Sequence, residues 1–203
     1  MTTVLGLDAS TTTIGISVLK YNSESNETTL IYHEFYKPNK ADGIITMIIQ
    51  ARDYILNICN KFNIDVFVIE EYIKFMKGKS SSATIIPLAV LNTFLQAAVV
   101  DTLKKTPNVL NVLKIRHAIK LTKVFPDKIQ VPEIMAHHLK LSEFPWYKKI
   151  NRKKEEVIIE ESYDVADSMA VAFTWIKLNL MPKPEKIKKV RVSKKKQESI
   201  NGS

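Results

Sequence analysis

A single cysteine, Cys59, in 203 residues excludes an intramolecular disulfide and suits a reducing compartment. No stretch reads as the roughly 18 apolar residues that a membrane span needs, so no membrane partner is expected. The N-terminus enters a β-like run at once and nothing resembles a signal peptide. The expected setting is intracellular: cytoplasm or nucleoid, or a viral or organellar matrix. No HExxH is present, and the adjacent His137 and His138 would point in different directions on a helix, which argues against a zinc hydrolase. Gly78-Lys79-Ser80 ends like a nucleotide phosphate loop, but Ile73 stands where its first glycine belongs. There is no internal repeat.

What is present is a core-forming chain with an uneven positive charge. At 45% hydrophobic and 25% charged residues, the length suits one domain with a real core. The net charge is +9, and residues 183–198 hold eight Lys/Arg against Glu185 and Glu198. The chain is therefore expected to divide into a domain over 1–182 and a basic, disordered tail over 183–203. Lys148, Lys149, Arg152, Lys153 and Lys154 form a second cluster. Such blocks attract polyanions, most commonly nucleic acid, by displacing counterions. A tail that merely stays solvated and keeps the protein soluble is the plain alternative.

The pattern predicts strands over Thr3–Asp8, Thr13–Tyr21, Thr29–Tyr36, Ile64–Glu70 and Val109–Ile115. It predicts helices over Asp42–Phe62, Ala83–Lys104, Ile129–Leu141 and Ser162–Leu178. The first long helix shows a largely apolar stripe at Ile45, Ile48, Ile49, Arg52, Ile55, Leu56 and Cys59. Lys74–Ser82 reads as a Lys/Ser loop and Ser142–Lys154 as a basic surface loop. This order indicates an α/β fold: a mixed five-stranded sheet, antiparallel meander plus parallel strands, with helices on both faces.

Five acids stand where such a sheet collects ligands. Asp8 ends the first strand, Glu70 and Glu71 end the fourth, and Asp164 and Asp167 open the last helix one turn apart on one face. Together they would repel one another strongly unless neutralised. Mg²⁺ or Mn²⁺, hard cations that prefer oxygen ligands, would neutralise them. Two such ions about 4 Å apart serve in-line displacement at phosphorus. Each acid also has a local explanation. Asp164 could be a helix N-cap with Asp167 at N3, Asp8 could start a turn, and Glu70–Glu71 could be a solvated strand end.

Three segments carry a resemblance: GLDASTTTIG from Gly6 to Gly15, VIEEY from Val68 to Tyr72, and YDVADSMA from Tyr163 to Ala170. In order and spacing they resemble the motifs of the RuvC-like Holliday-junction resolvases of the ribonuclease H-like superfamily. They match at Asp8 and Gly15, at Glu70 rather than Glu71, and at Asp164 and Asp167. The resemblance implies a ribonuclease H-like fold and a homodimer that cuts four-way DNA junctions by paired symmetric nicks, leaving 5′-phosphate and 3′-hydroxyl ends, in DNA recombination and repair. It implies Asp8, Glu70, Asp164 and Asp167 as catalytic residues holding two Mg²⁺ ions, with Mn²⁺ a substitute. One ion would activate water and the other would stabilise the leaving 3′-oxygen. It implies phosphate contacts at Lys74, Lys77 and Lys79, with Lys128 a weaker candidate. Residues 116–160 match no motif of the family.

Within the same fold, cleavage of other branched DNA or of RNA–DNA hybrids is an alternative, as is a non-catalytic nucleic-acid-binding module. The four acids argue against the last, since a binder gains nothing from acid facing phosphate. Actin-like and sugar-kinase ATPases begin with a similar Asp- and Thr-rich loop, but need two such domains, for which 203 residues hardly suffice. Arg116 with His117 is a minor phosphate-contact candidate. Trp146 and Tyr147 read chiefly as packing residues.

Overall fold

The computed structural model describes residues 1–39, 41, 43–72 and 82–182, the Thr84 side chain excepted. Strands β1 (Thr2–Ala9), β2 (Ile14–Asn22) and β3 (Glu27–Tyr36) form an antiparallel meander. Helix α1 (Ile44–Lys61) returns the chain to β4 (Val66–Glu70), which pairs parallel to β1. Helix α2 (Ser82–Ala98) continues as a π turn over Val99–Leu103 and leads to β5 (Asn108–Leu110), parallel to β4. The sheet order is β3-β2-β1-β4-β5. Then follow α3 (Val112–Ile119), a 3₁₀ turn (Lys128–Gln130), α4 (Val131–His138), a hairpin of β6 (Lys148–Ile150) and β7 (Glu156–Ile158), and α5 (Glu161–Asn179).

Side-chain alternation along the strands decides which residues meet α5. Leu5, Leu7, Ile14, Ile16, Phe67 and Ile69 bury one face against α1 and α2. Val4, Leu19 and Val68 bury the other against α3, α4 and α5. By the same period of two, Asp8, Gly15 and Glu70 stand on the α5 side. The expected mixed sheet with helices on both faces is therefore what the chain forms.

Two glycines set how closely α5 lies on that face. A Cβ at Gly6 would stand 2.3 Å from the Ser168 carbonyl oxygen, and one at Gly15 would stand 2.0 Å from that of Asp164. Only a residue without a Cβ permits either contact. Gly15 is paired with Asp8 across β1 and β2, so α5 lies tightly on the sheet beside Asp8.

The structure corrects four local expectations. The strand over Val109–Ile115 stops at Leu110, because the Asn111 side chain accepts a hydrogen bond from the Lys114 amide (2.8 Å) and caps α3. The expected loop over Ser142–Lys154 contains β6 and the turn of a hairpin. On α1 the buried stripe runs through Met47, Ile48, Ala51, Ile55, Ile58 and Cys59, leaving Ile45 and Ile49 exposed. Ile85–Leu103 is long and apolar enough, by length and composition, to cross a membrane, contrary to the reading that no stretch reaches that length. Only 22% of it is buried, and its inner face packs on the sheet through Leu91, Leu95 and Val99.

Candidate active site

Asp8 lies on β1 next to its end, and Glu70 is the last residue of β4, the parallel neighbour of β1. Asp164 and Asp167 come from the first two turns of α5. With residues of the Ser10–Thr13 loop, Asp8, Glu70 and Asp164 line a cleft of about 660 Å³, whose rim includes Lys37, Lys128, Glu160 and Glu161. Asp167 sits deeper, 5% exposed.

The local explanations for three of these acids do not hold. Helix α5 begins three residues before Asp164, so Asp164 caps nothing; Glu160 is the N-cap residue and its side chain makes no cap bond. The turn after β1 is organised by Ser10 instead, whose Oγ accepts from the amides of Thr12 (3.2 Å) and Thr13 (3.0 Å). Glu70 is largely buried, and Asn92, 1% exposed, donates to its backbone oxygen at 2.9 Å.

Two internal cations meet the four carboxylates. Arg116 Nη2 donates to Asp167 Oδ1 at 2.7 Å with both side chains largely buried. Lys128 Nζ lies 2.7 Å from Asp164 Oδ1 and 3.9 Å from Asp167 Oδ2. Asp8 and Glu70 have no ion-pair partner among the described residues. Burial raises the Asp8 carboxyl well above its usual range, and the charges of Glu70, Asp167 and Asp164 add to that rise. Burial and then Asp167 push Glu70 up to about 7. Asp167 is raised by burial against the pull of Arg116 and Lys128. For Lys128 burial favours the neutral amine, but the bond to Asp164 and the surrounding carboxylates outweigh it and raise its pKa.

Four carboxylates against two cations leave the cluster short of positive charge. Among the described residues no three Asp, Glu, His or Cys side chains already close on one point as metal ligands do. The donor chemistry nevertheless fits hard divalent cations, since every free group is a carboxylate oxygen. Arg116 Nη1 is also buried without a partner, an arrangement that suits an anion or water arriving beside Asp167.

The shifts have a sign that can be measured. In the unfolded chain Glu70 loses its proton near 4.5, in the folded chain near 7. Between those values the folded state binds more protons, so stability falls as pH rises. In EDTA, wild type is expected to melt several degrees lower at pH 8 than at pH 5.5, on the order of 2 kcal/mol for Glu70. Glu70→Gln should narrow that gap, as read by thermal unfolding at the two pH values. An unchanged gap would remove Glu70 as its source.

Of the residues expected to contact phosphate, Lys128 is at the cleft, tied to the acids. Lys74, Lys77 and Lys79 lie outside the described residues. Sequence reasoning missed Arg116 as the partner of Asp167, along with Asn92 and Lys37. Tyr147 donates from Oη to the His33 carbonyl (2.9 Å), and Trp146 meets Phe144 and Tyr163 edge-on. Both are packing residues, as expected.

No family model matches the chain, and no curated protein is similar to it in sequence. Solved structures are similar in fold. RuvC of Thermus thermophilus in complex with a Holliday junction substrate aligns with a TM-score of 0.66 at 15% identity, covering 86% of this chain and 93% of that one. The yeast mitochondrial Holliday junction resolvase Ydc2 aligns at 0.58 and 15%, covering 86% and 77%. The fowlpox virus resolvase in complex with Holliday junction DNA aligns at 0.52 and 14%, covering 86% and 99%. In fold this chain is thus similar to these resolvase structures, with a mixed five-stranded sheet and helices on both faces.

Proposed function

We propose that the protein is a divalent-metal-dependent, structure-selective endodeoxyribonuclease that resolves four-way DNA junctions. The observation that carries the reading is the convergence of Asp8, Glu70, Asp164 and Asp167, from three separate elements, into a cleft with fewer cations than carboxylates. That three similar folds belong to proteins named as junction resolvases supports the choice of substrate.

Asp8, Glu70, Asp164 and Asp167 would hold two Mg²⁺ ions, or Mn²⁺, which supply Lewis-acid stabilisation of the attacking and leaving oxygens when bound. The chain's own groups do the remaining work. Lys128, half-exposed at the cleft, can exchange Asp164 for a phosphate oxygen without leaving its place. Lys37, held at the rim by its ion pair with Glu161, offers a second phosphate contact across the cleft. Gly15 and Asn92 position α5 and the end of β4. The products would be nicks with 5′-phosphate and 3′-hydroxyl ends, a step in recombination and repair.

Symmetric cutting calls for two active sites, and the outer face of α2 suits a second copy. Ile86, Val90 and Phe94 recur there every four residues, all exposed. Ala89, Thr93 and Ala97 form a shallow groove beside them. A stripe of this size on a free surface marks an interaction site, and the same face on both copies would meet about a two-fold axis.

The experiment is cleavage of a substrate panel in Mg²⁺: four-way junction, flap, linear duplex and RNA–DNA hybrid. The junction is expected to be cut at least ~10-fold faster than duplex at equal protein, in the range structure-selective recognition supplies. Preference for the hybrid or the flap would redirect the reading to another nuclease of this fold.

A further inference from the structure

The connection between α3 and α4 exposes apolar side chains that the core does not explain. Leu121 is 50% exposed, Val124 74%, Phe125 49% and Ile129 74%. Leu121, Val124 and Phe125 line a shallow cavity of about 230 Å³ together with Lys120, Pro126 and Ile134. Exposed apolar side chains grouped in this way mark an interaction surface.

We infer that this surface is a stacking platform for unpaired nucleobases beside the cut site, with Phe125 its central ring; the inference rests on the nuclease reading. The Phe125 ring is fixed rather than loose. Lys120 Nζ stands 5.2 Å from its centroid, and the His117 ring lies 6.1 Å away at a tilt of 54°. Phe125 is nevertheless half-exposed, so part of the ring is open to a flat partner. Every base has a flat apolar face that such a ring can take.

Charge decides between nucleic acid and protein as the occupant. Residues 112–134 hold Lys114, Arg116, Lys120, Lys123 and Lys128 against Asp127 and Glu133. Protein interfaces are depleted in lysine, whereas single-stranded nucleic acid sites interleave cations with aromatic rings. The segment that carries the platform also reaches the acids. Lys128, three residues after Phe125, bonds to Asp164, and Arg116, next to His117, bonds to Asp167. A strand whose phosphate lies in the cleft would therefore pass its next bases over Phe125.

The test uses the full chain in EDTA, where DNA stays uncut. Phe125→Ala is expected to bind a synthetic four-way junction about 5- to 100-fold more weakly. Its affinity for linear duplex, and the salt dependence of junction binding, should be unchanged because no phosphate contact is lost. Phe125→Trp is expected to restore junction affinity, and its added emission should be quenched when junction binds. Junction affinity unchanged in Phe125→Ala, or unquenched emission in Phe125→Trp, overturns the platform. So does a change of oligomeric state in Phe125→Ala, which would make this face a contact between copies. Wild type that neither binds nor cuts junctions defeats the nuclease reading itself; wild type that cuts while Phe125→Ala behaves identically defeats only the platform.

Discussion

Asp8→Asn is expected to lower junction cleavage in Mg²⁺ by about 10³-fold or more, while junction affinity stays within about threefold. The amide has nearly the shape of the carboxylate, so the packing of β1 against Gly15 and α5 should persist. What it removes is one of four negative charges, in the member whose pKa is raised by burial and by all three of the others. The variant should therefore melt higher than wild type in EDTA at pH 8 even as it stops cutting. Lost activity with gained metal-free stability separates a catalytic acid from a structural one, whose loss lowers both. Cleavage at the wild-type rate by Asp8→Asn would take Asp8 out of the reaction.

Gly15→Ala should be more damaging than a methyl group added at Gly6 or Gly43. Its Cβ would need the space of the Asp164 carbonyl, 2.0 Å away, with the Asp164 carbonyl carbon at 2.4 Å. Both are backbone atoms, so relief requires moving α5 rather than turning a side chain. Overpacking of this kind costs about 1–3 kcal/mol or somewhat more, and Tm should fall by roughly 5–10 °C. The displacement falls on Asp164 and, one turn later, Asp167. Misplacing reacting groups by about 1 Å can cost ~10²-fold in rate, so cleavage measured well below Tm should also drop. A variant with wild-type Tm and rate would show that α5 does not depend on Gly15 for its position.

The sheet and the four acids were legible in the sequence because they obey local rules. Alternation in β1, β2 and β4 puts Asp8 and Glu70 on one face whatever packs there, and Asp164 and Asp167 share a helix face by spacing alone. The capping reading of Asp164 failed for a reason three residues upstream. Ser162 Oγ exchanges hydrogen bonds with the Tyr147 backbone, and α5 is already helical at Glu161. The pairing of Arg116 with Asp167 joins residues 51 apart in sequence, and no periodicity reveals such a partner. The short β5 and the start of α3 were merged because an apolar run hides a strand end; Asn111, an ordinary N-cap residue, was the missed signal. The exposed α2 stripe and the Phe125 surface look like core in sequence, and only burial distinguishes them.

The central claim, a carboxylate site that cuts branched DNA with divalent metal, is tested most directly by incubating the full chain with an end-labelled four-way junction in Mg²⁺ and in EDTA and mapping the product ends. The expected result is paired nicks at symmetric positions in Mg²⁺, rejoined by ligase, with intact junction in EDTA. Equal cutting in EDTA, or an intact junction in Mg²⁺ accompanied by ATP hydrolysis, would contradict it.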